Sequence, residues 1–222
     1  MKILEIGGHK VSCNIITKDV KHAYLRLKPN FYLEIILPYK SKLDIDSILS
    51  KKYQWLERKV RELSNMTKII DSDRILYKGN PLSVRVYPVK RSCKGIRLYK
   101  RVIFVYENSH SGKNETIRNF MATQTLNYVK WKAKIFAREL GVTYCRIFTK
   151  DMKRWGKCTR DGNLFFNLRL IGLPEHLIDY IVFHELLHLK YFNHSKQFRR
   201  LLAKYFIDYG KIDKSLRGYF PV

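Results

Sequence analysis

Acidic side chains are scarce in this chain of 222 residues: 19 Asp and Glu stand against 44 Lys and Arg, a formal net charge of +25 at pH 7. Split at residue 114, the first part holds 24 basic and 10 acidic residues and the rest 20 and 9, so the surplus is spread over the chain and is not a basic tail. Such a surface attracts anions, whether nucleic acid, nucleotides or acidic proteins. Long apolar runs are also missing; none reaches about 18 residues, the length a membrane-spanning helix needs. The first eight residues place Glu5 where a signal peptide would need apolar side chains, so a cytoplasmic location is expected. Cysteine is limited to Cys13, Cys93, Cys145 and Cys158, with no CxxC pair and no zinc-ribbon spacing, and free thiols are expected. There is no GxxxxGK[ST] phosphate loop, no internal repeat and no low-complexity segment.

What is present belongs to a folded protein: 45% of residues are hydrophobic and 14% aromatic. β-branched and aromatic runs predict strands over 11–17, 22–28 and 31–37, with Pro29-Asn30 turning the chain. Asp44 or Asp46 opens a helix to about residue 65, with an apolar stripe of Ile45, Ile48, Leu49, Tyr53, Leu56, Val60 and Leu63. Strands resume over 74–77, 82–87 and 96–106. Between 90 and 101 stand six basic residues and no acid, with Tyr99 among them. That pattern suits phosphate binding and equally a solvated hairpin face. The polar stretch 108–114 is the expected boundary between an N-terminal β-rich subdomain (1–110) and a second domain (111–222). A long helix is predicted over 115–140, its buried stripe drawn from Ile117, Phe120, Met121, Tyr128, Trp131, Ile135, Phe136 and Leu140, with Gly141 ending it. A strand over 142–149 follows, and Asp161-Gly162 signals a hairpin between 154–159 and 164–168.

The chemistry gathers at His184-Glu185-Leu186-Leu187-His188, in an apolar stretch that reads as one helix over 174–191 with Pro174 at its first position. Residues four apart project from the same helix face, so His184 and His188 can grip one zinc ion together. Glu185, offset by one residue, can reach a water on that ion without being a ligand. His194 would lie about 240° around an unbroken helix from His188, so the helix must end first. Asn193 is the expected terminator, because asparagine tolerates the left-handed conformation. Ser195 then caps a further helix with Phe198, Leu201, Leu202 and Tyr205 inward, which leaves His194 in the corner as third ligand. The spacing matches the metzincin pattern HExxHxxGxxH, but Tyr191 occupies the glycine position and no methionine follows Met152, which excludes that class.

The run RWGKCTRDGNLFFNLRLIGLP (154–174), then DYIVFHELLHLKYFNHSKQF (179–198), resembles the YgjP-like metallopeptidase domain, a relative of the SprT-like and WLM metalloproteases. The family pattern runs RWGSC, a glycine turn, an N-x-R-L strand, a proline, DYVVxHELxH and NHSxxF. Here it is met by 154–158, Gly162, 167–170, Pro174, 179–188 and 193–198, with Lys157 in place of the usual serine. The resemblance covers about residues 145–206 and is less distinctive upstream. It implies an α+β fold: a zincin-like, minimal gluzincin-type catalytic domain with the HExxH helix under a small antiparallel-rich sheet. It also implies one Zn2+ per chain held by His184, His188 and His194, with Glu185 as general base.

The expected activity is that of a zinc-dependent metallopeptidase acting on a peptide or protein, with Glu185 passing a proton to the leaving amine. Arg154 and Trp155, in the hairpin strand beside the cleft, are candidate substrate-binding residues or packing residues. An exposed edge there would pair with an extended peptide. Asp179 is expected as a structural partner. Two alternatives share the site. One is a nucleotide pyrophosphatase or phosphoester hydrolase, with Lys and Arg holding phosphates. The other is a SprT-like protease recruited to nucleic acid by its basic surface. No membrane partner is expected.

Overall fold

The computed structural model describes residues 2–28, 30–39, 44–89, 95–107 and 112–220. By its internal contacts the chain divides into two compact units, Met1–Met66 and Thr67–Val222.

In the first unit, β1 (Lys2–Ile6) and β2 (His9–Lys18) form an antiparallel hairpin. Gly7 and Gly8 turn it with φ of 59° and 77°, the doubly positive pair that matches the twist of the flanking strands. β3 (Tyr24–Lys28) and β4 (Tyr32–Pro38) form a second antiparallel pair, and β4 runs parallel to β2, giving the order β1-β2-β4-β3. α1 (Ile45–Ser64) follows; the Asp44 carboxylate caps it by accepting from the Asp46 and Ser47 amides. Val11, Leu33 and Ile35 meet Leu56 and Val60 in a closed core. β1 is not announced by the sequence, because only Ile6 of its five residues is buried. Tyr53, expected within the buried stripe of α1, is exposed.

The second unit opens on β5 (Thr67–Lys68) and then repeats this plan. β6 (Arg74–Tyr77) and β7 (Asn80–Pro88) form a hairpin that again turns on two positive φ angles, 51° at Lys78 and 79° at Gly79. β8 (Gly95–Tyr99) pairs antiparallel with β9 (Val102–Glu107), β9 runs parallel to β7, and α2 (Gly112–Leu140) follows. The order β6-β7-β9-β8 is that of the first sheet. The registers also correspond: Ser12 faces Tyr32 as Ser83 faces Val102. The duplication is hidden from the sequence because strand pairing constrains only which face each side chain takes, and little of its identity.

Ile75, Leu82, Ile103 and Val105 of this sheet share one core with Ile117 and Met121 of α2. The compact units therefore part after Met66, and the boundary expected near residue 110 falls inside the second unit, where strands and helix close on the same core. Of the polar stretch expected there, 108–111 lies outside the described residues, as do Cys93, Lys90, Arg91 and Lys94. Cys13, Cys145 and Cys158 are free thiols, as expected. The buried line of α2 runs through Ile117, Met121, Thr125, Val129, Ala133 and Ala137. Trp131 and Ile135, expected in that line, are 56% and 39% exposed. Small residues take the line instead and let the helix close on its neighbours. Gly141, with φ of 63°, ends α2 as expected.

Beyond α2, β10 (Ile147–Lys150), β11 (Gly156–Cys158) and β12 (Leu164–Asn167) form a sheet of order β10-β12-β11. Gly162, with φ of 76°, turns the β11–β12 hairpin at the Asp-Gly signal. The sheet is mixed where an antiparallel-rich one is expected: β10 runs parallel to β12, because the link 151–155 carries β11 to the far edge and leaves the centre to β12. Leu168–Gly172 form a 3-10 helix whose first turn is capped by Asn167, so the N-x-R-L segment is a strand end followed by a helical turn and not a continuous strand. α3 (Glu175–Leu187), α4 (Lys196–Tyr205), α5 (Tyr209–Leu216) and β13 (Tyr219–Phe220), which pairs parallel with β5, complete the unit. The fold is thus mixed, of small sheets and helices, and no described helix is long and apolar enough to cross a membrane.

Candidate metal centre

α3 is apolar on every side: Leu177, Ile178, Ile181, Val182, Phe183, Leu186 and Leu187 are all buried. A helix of that kind is an interior element, and it carries His184 and Glu185 into the interior with it. His184 and His188 leave one face of the helix, with ring centroids 5.0 Å apart. Burial, reinforced by the two neighbouring histidines, pushes the His184 imidazole down to about 3. Burial also pushes His188 down, against the opposing pull of the Tyr191 carbonyl. Both rings are therefore neutral at pH 7, the form that ligates a cation.

The helix stops at Leu187, earlier than expected. The amides of Leu189 and Lys190 reach back three residues to Leu186 and Leu187. Asn193 does not adopt the left-handed conformation, so its expected role as terminator is corrected: tightened 3-10 turns satisfy the last carbonyls instead. His188 Nδ1 donates to the Tyr191 carbonyl at 3.2 Å, which fixes the tautomer and leaves the Nε2 lone pair free. Ser195 caps α4 as expected, its hydroxyl accepting from the Phe198 amide at 3.3 Å. His194, between the two helices, folds back toward α3. Its Nε2 lies 3.0 Å from His184 Nε2, and its ring centroid lies 4.9 Å from that of His188. The ligand atoms of the three histidines all lie within 4.8 Å of one another. The buried Phe198 ring backs all three imidazoles, at 5.0 Å from His184, 5.0 Å from His188 and 4.8 Å from His194. Three imidazoles, two of them held neutral and one with its tautomer fixed, are a donor set that fits a divalent cation of the zinc type.

Glu185 is 8% exposed and lies against β11. A Cβ at Gly156 would stand 2.6 Å from Glu185 Cγ and Oε1, so only glycine leaves room for the carboxyl. Burial pushes this carboxyl up to about 7, opposed by the Cys158 backbone amide, which donates to it, and by Arg154. Burial, then the nearby Glu185, pushes the Cys158 thiol up to about 11 and keeps it protonated.

Arg154 is exposed, whereas Trp155 is partly buried and packs on the main core. The Asn167 side chain donates to the Met152 and Arg154 carbonyls and so holds the loop that presents Arg154. Asp151 pairs with both Arg118 and Arg169. Burial alone would raise its carboxyl, but the two guanidinium groups together hold it below the usual carboxylate range. Asp179 accepts from the Tyr128 hydroxyl at 3.0 Å and from Lys132 at 2.7 Å, tying α3 to α2 away from the histidines. The contributions of Gly156 and Asn167 are not read from the sequence, and Phe198, expected inward on α4 and found buried, is not read as the backing of the three imidazoles. For Gly156 a signal exists, since glycine is unfavourable inside a strand unless another group approaches closely. A concavity of about 470 Å3 beside the first half of α2, lined by Glu107, Glu115 and Asn119 among others, shares no residue with the histidine cluster.

An interior helix with paired histidines, a carboxyl between them and a third histidine returned from the next turn is a grouping found in metal-dependent hydrolases. Residues 21–219 match the family described as YgjP-like, metallopeptidase domain, and the chain belongs to that family. Membership supports a hydrolase of the metallopeptidase class and implies a divalent metal, which the His184, His188 and His194 group is able to hold. Among solved structures, the metallopeptidase zymogen of Pyrococcus abyssi abylysin is similar at 24% identity, over 40% of this chain and 91% of that chain, with a TM-score of 0.37. No curated protein matches the chain.

Proposed function

We propose that this chain is a zinc-dependent metallopeptidase with a zincin-like site, in which His184, His188 and His194 hold one zinc ion per chain and Glu185 is the general base. The observation that supports this reading best is the convergence of three imidazoles next to a buried carboxyl. An ion held there supplies Lewis acidity, lowering the pKa of a water ligand and polarising a carbonyl. Glu185 accepts a proton at its carboxylate and delivers it to the leaving amine. The Cys158 amide orients that carboxylate, and Gly156 keeps the wall of the site thin enough for it. β11 is an edge strand; its Cys158 amide is given to Glu185, and the backbone of Gly156 beside it is the proposed place where an extended peptide pairs by strand addition. Arg154, exposed beside that edge, is the proposed substrate contact, and Trp155 supports it from the core side.

The test is a pair of measurements on metal-loaded protein. Metal analysis is expected to give one zinc per chain, and Glu185→Gln is expected to keep the metal and lose peptide hydrolysis. Retained turnover in Glu185→Gln overturns the assignment of the base. A nucleoside triphosphate panel run beside the peptides separates the alternative: triphosphate hydrolysis alone, lost in Glu185→Gln, assigns the site to phosphoester chemistry.

A further inference from the structure

The outward face of the β6-β7-β9-β8 sheet, opposite the side that packs on α2, carries aromatic rings and arginines without an acid. Alternation and register decide which residues share it. Phe104 stands between Arg85 and Arg97 on the neighbouring strands, and Tyr106 stands beside Tyr87. The Tyr87 ring lies 5.8 Å from that of Phe104 and 6.0 Å from that of Tyr106, centroid to centroid, so the three make one aromatic surface. Tyr87 and Tyr99 are 42% and 60% exposed. Arg85 and Arg97 are exposed too, and neither is ion-paired among the described residues. The four strands contain one acidic residue, Glu107, and it points to the opposite side, accepting from Thr116 at the head of α2.

The first unit supplies an internal comparison. In its sheet the place of Phe104 is taken by Glu34, flanked by Asn14 and Arg26 in the same register. Glu34 pairs with Lys28 at 2.5 Å and Arg26 at 3.7 Å, so both cations of that face have an acidic partner within the sheet. In the second sheet an aromatic ring replaces the acid, and the arginines are left for an outside anion. We propose that this face binds single-stranded nucleic acid, with unpaired bases stacking on the exposed rings and the arginines holding backbone phosphates. A double helix keeps its base faces to itself and would lose the aromatic part of the surface. Neither the histidine cluster nor Glu185 takes part, so the proposal stands or falls separately from the peptidase reading.

The test uses the full chain and labelled oligonucleotides of about 15 nucleotides, in DNA and RNA forms, followed by fluorescence anisotropy from about 50 to 200 mM salt. Wild type is expected to bind the single strand more tightly than a duplex of the same sequence. Tyr87→Ala leaves net charge unchanged and is expected to weaken single-strand binding about tenfold, with the same salt dependence. Arg85→Ala and Arg97→Ala are each expected to flatten the log–log salt slope by about 0.7. Zinc-free Glu185→Gln protein is expected to bind as wild type does. Circular dichroism checks each fold, and Tyr99→Ala repeats the experiment at a more exposed ring if Tyr87→Ala disturbs its strand. Unchanged affinity in both tyrosine variants, or a duplex bound as tightly as the single strand, overturns the proposal and leaves only diffuse charge attraction. Competition by polyglutamate that depends on Tyr87 overturns it as well, in favour of an acidic protein partner.

Discussion

Residue 156 has no room for a side chain, because the Glu185 carboxyl occupies the space where a Cβ would stand. Gly156→Ala is therefore expected to displace that carboxyl while the histidines stay in place. Since a misplacement of about 1 Å can cost about a hundredfold in rate, turnover should fall by that order with zinc content unchanged, as read from steady-state kinetics and metal analysis on one preparation. Phe198 works at the same scale: one ring backs three imidazoles, so the hydrophobic contact that docks α4 also limits how far each imidazole can swing. Both residues lie in the stretches that carry the family resemblance, yet neither has a side-chain chemistry that would single it out there.

Among the elements, the corner between α3 and α4 decides whether two histidines become three. Ser195→Ala removes the cap of α4, a loss of about 1 kcal/mol to that helix. His194 is the adjacent residue, so zinc affinity measured by chelator competition is expected to fall more than thermal stability does. The loop 151–155 is held by a different device, the pairing of Asp151 with Arg118 and Arg169. The Asp151 carboxyl has a folded-state pKa below its ordinary value. Its stabilising contribution is thus fully present above the unfolded value of about 3.9 and is lost as pH falls through the lower folded value. Asp151→Asn is expected to lower the Tm at pH 7, and the gap from wild type should close in melts recorded at successively lower pH below about 4.

At the scale of the whole molecule, each of the two units holds a four-stranded sheet of the same strand order, and the cluster of His184, His188 and His194 lies in the second. Each has its own closed core. A fragment spanning 67–222 is expected to melt cooperatively and to bind one zinc per chain, as measured by differential scanning calorimetry and metal analysis; a cooperatively folded fragment that binds none would overturn the assignment of the histidine cluster as the zinc site. Both sheets carry basic residues outward; Glu34 pairs with Arg26 and Lys28 in one, whereas Phe104 stands between Arg85 and Arg97 in the other.

His184 and His188 on one helix face, Ser195 as a cap and the Asp161-Gly162 turn were all legible in the sequence, because each depends on residues within about four positions of one another and on fixed helical or turn geometry. Where helices end was less legible: Asn193 looked like a terminator, but tertiary packing closed α3 before the chain reached it. Trp131 and Ile135 looked like core residues by periodicity, yet the line of small residues on α2 gave the closer approach. The parallel β2–β4 and β7–β9 pairings, Gly156 against Glu185 and the return of His194 to His184 were decided only by the tertiary structure. Each joins residues brought together by packing, and a local pattern holds no record of which distant surface will cover it.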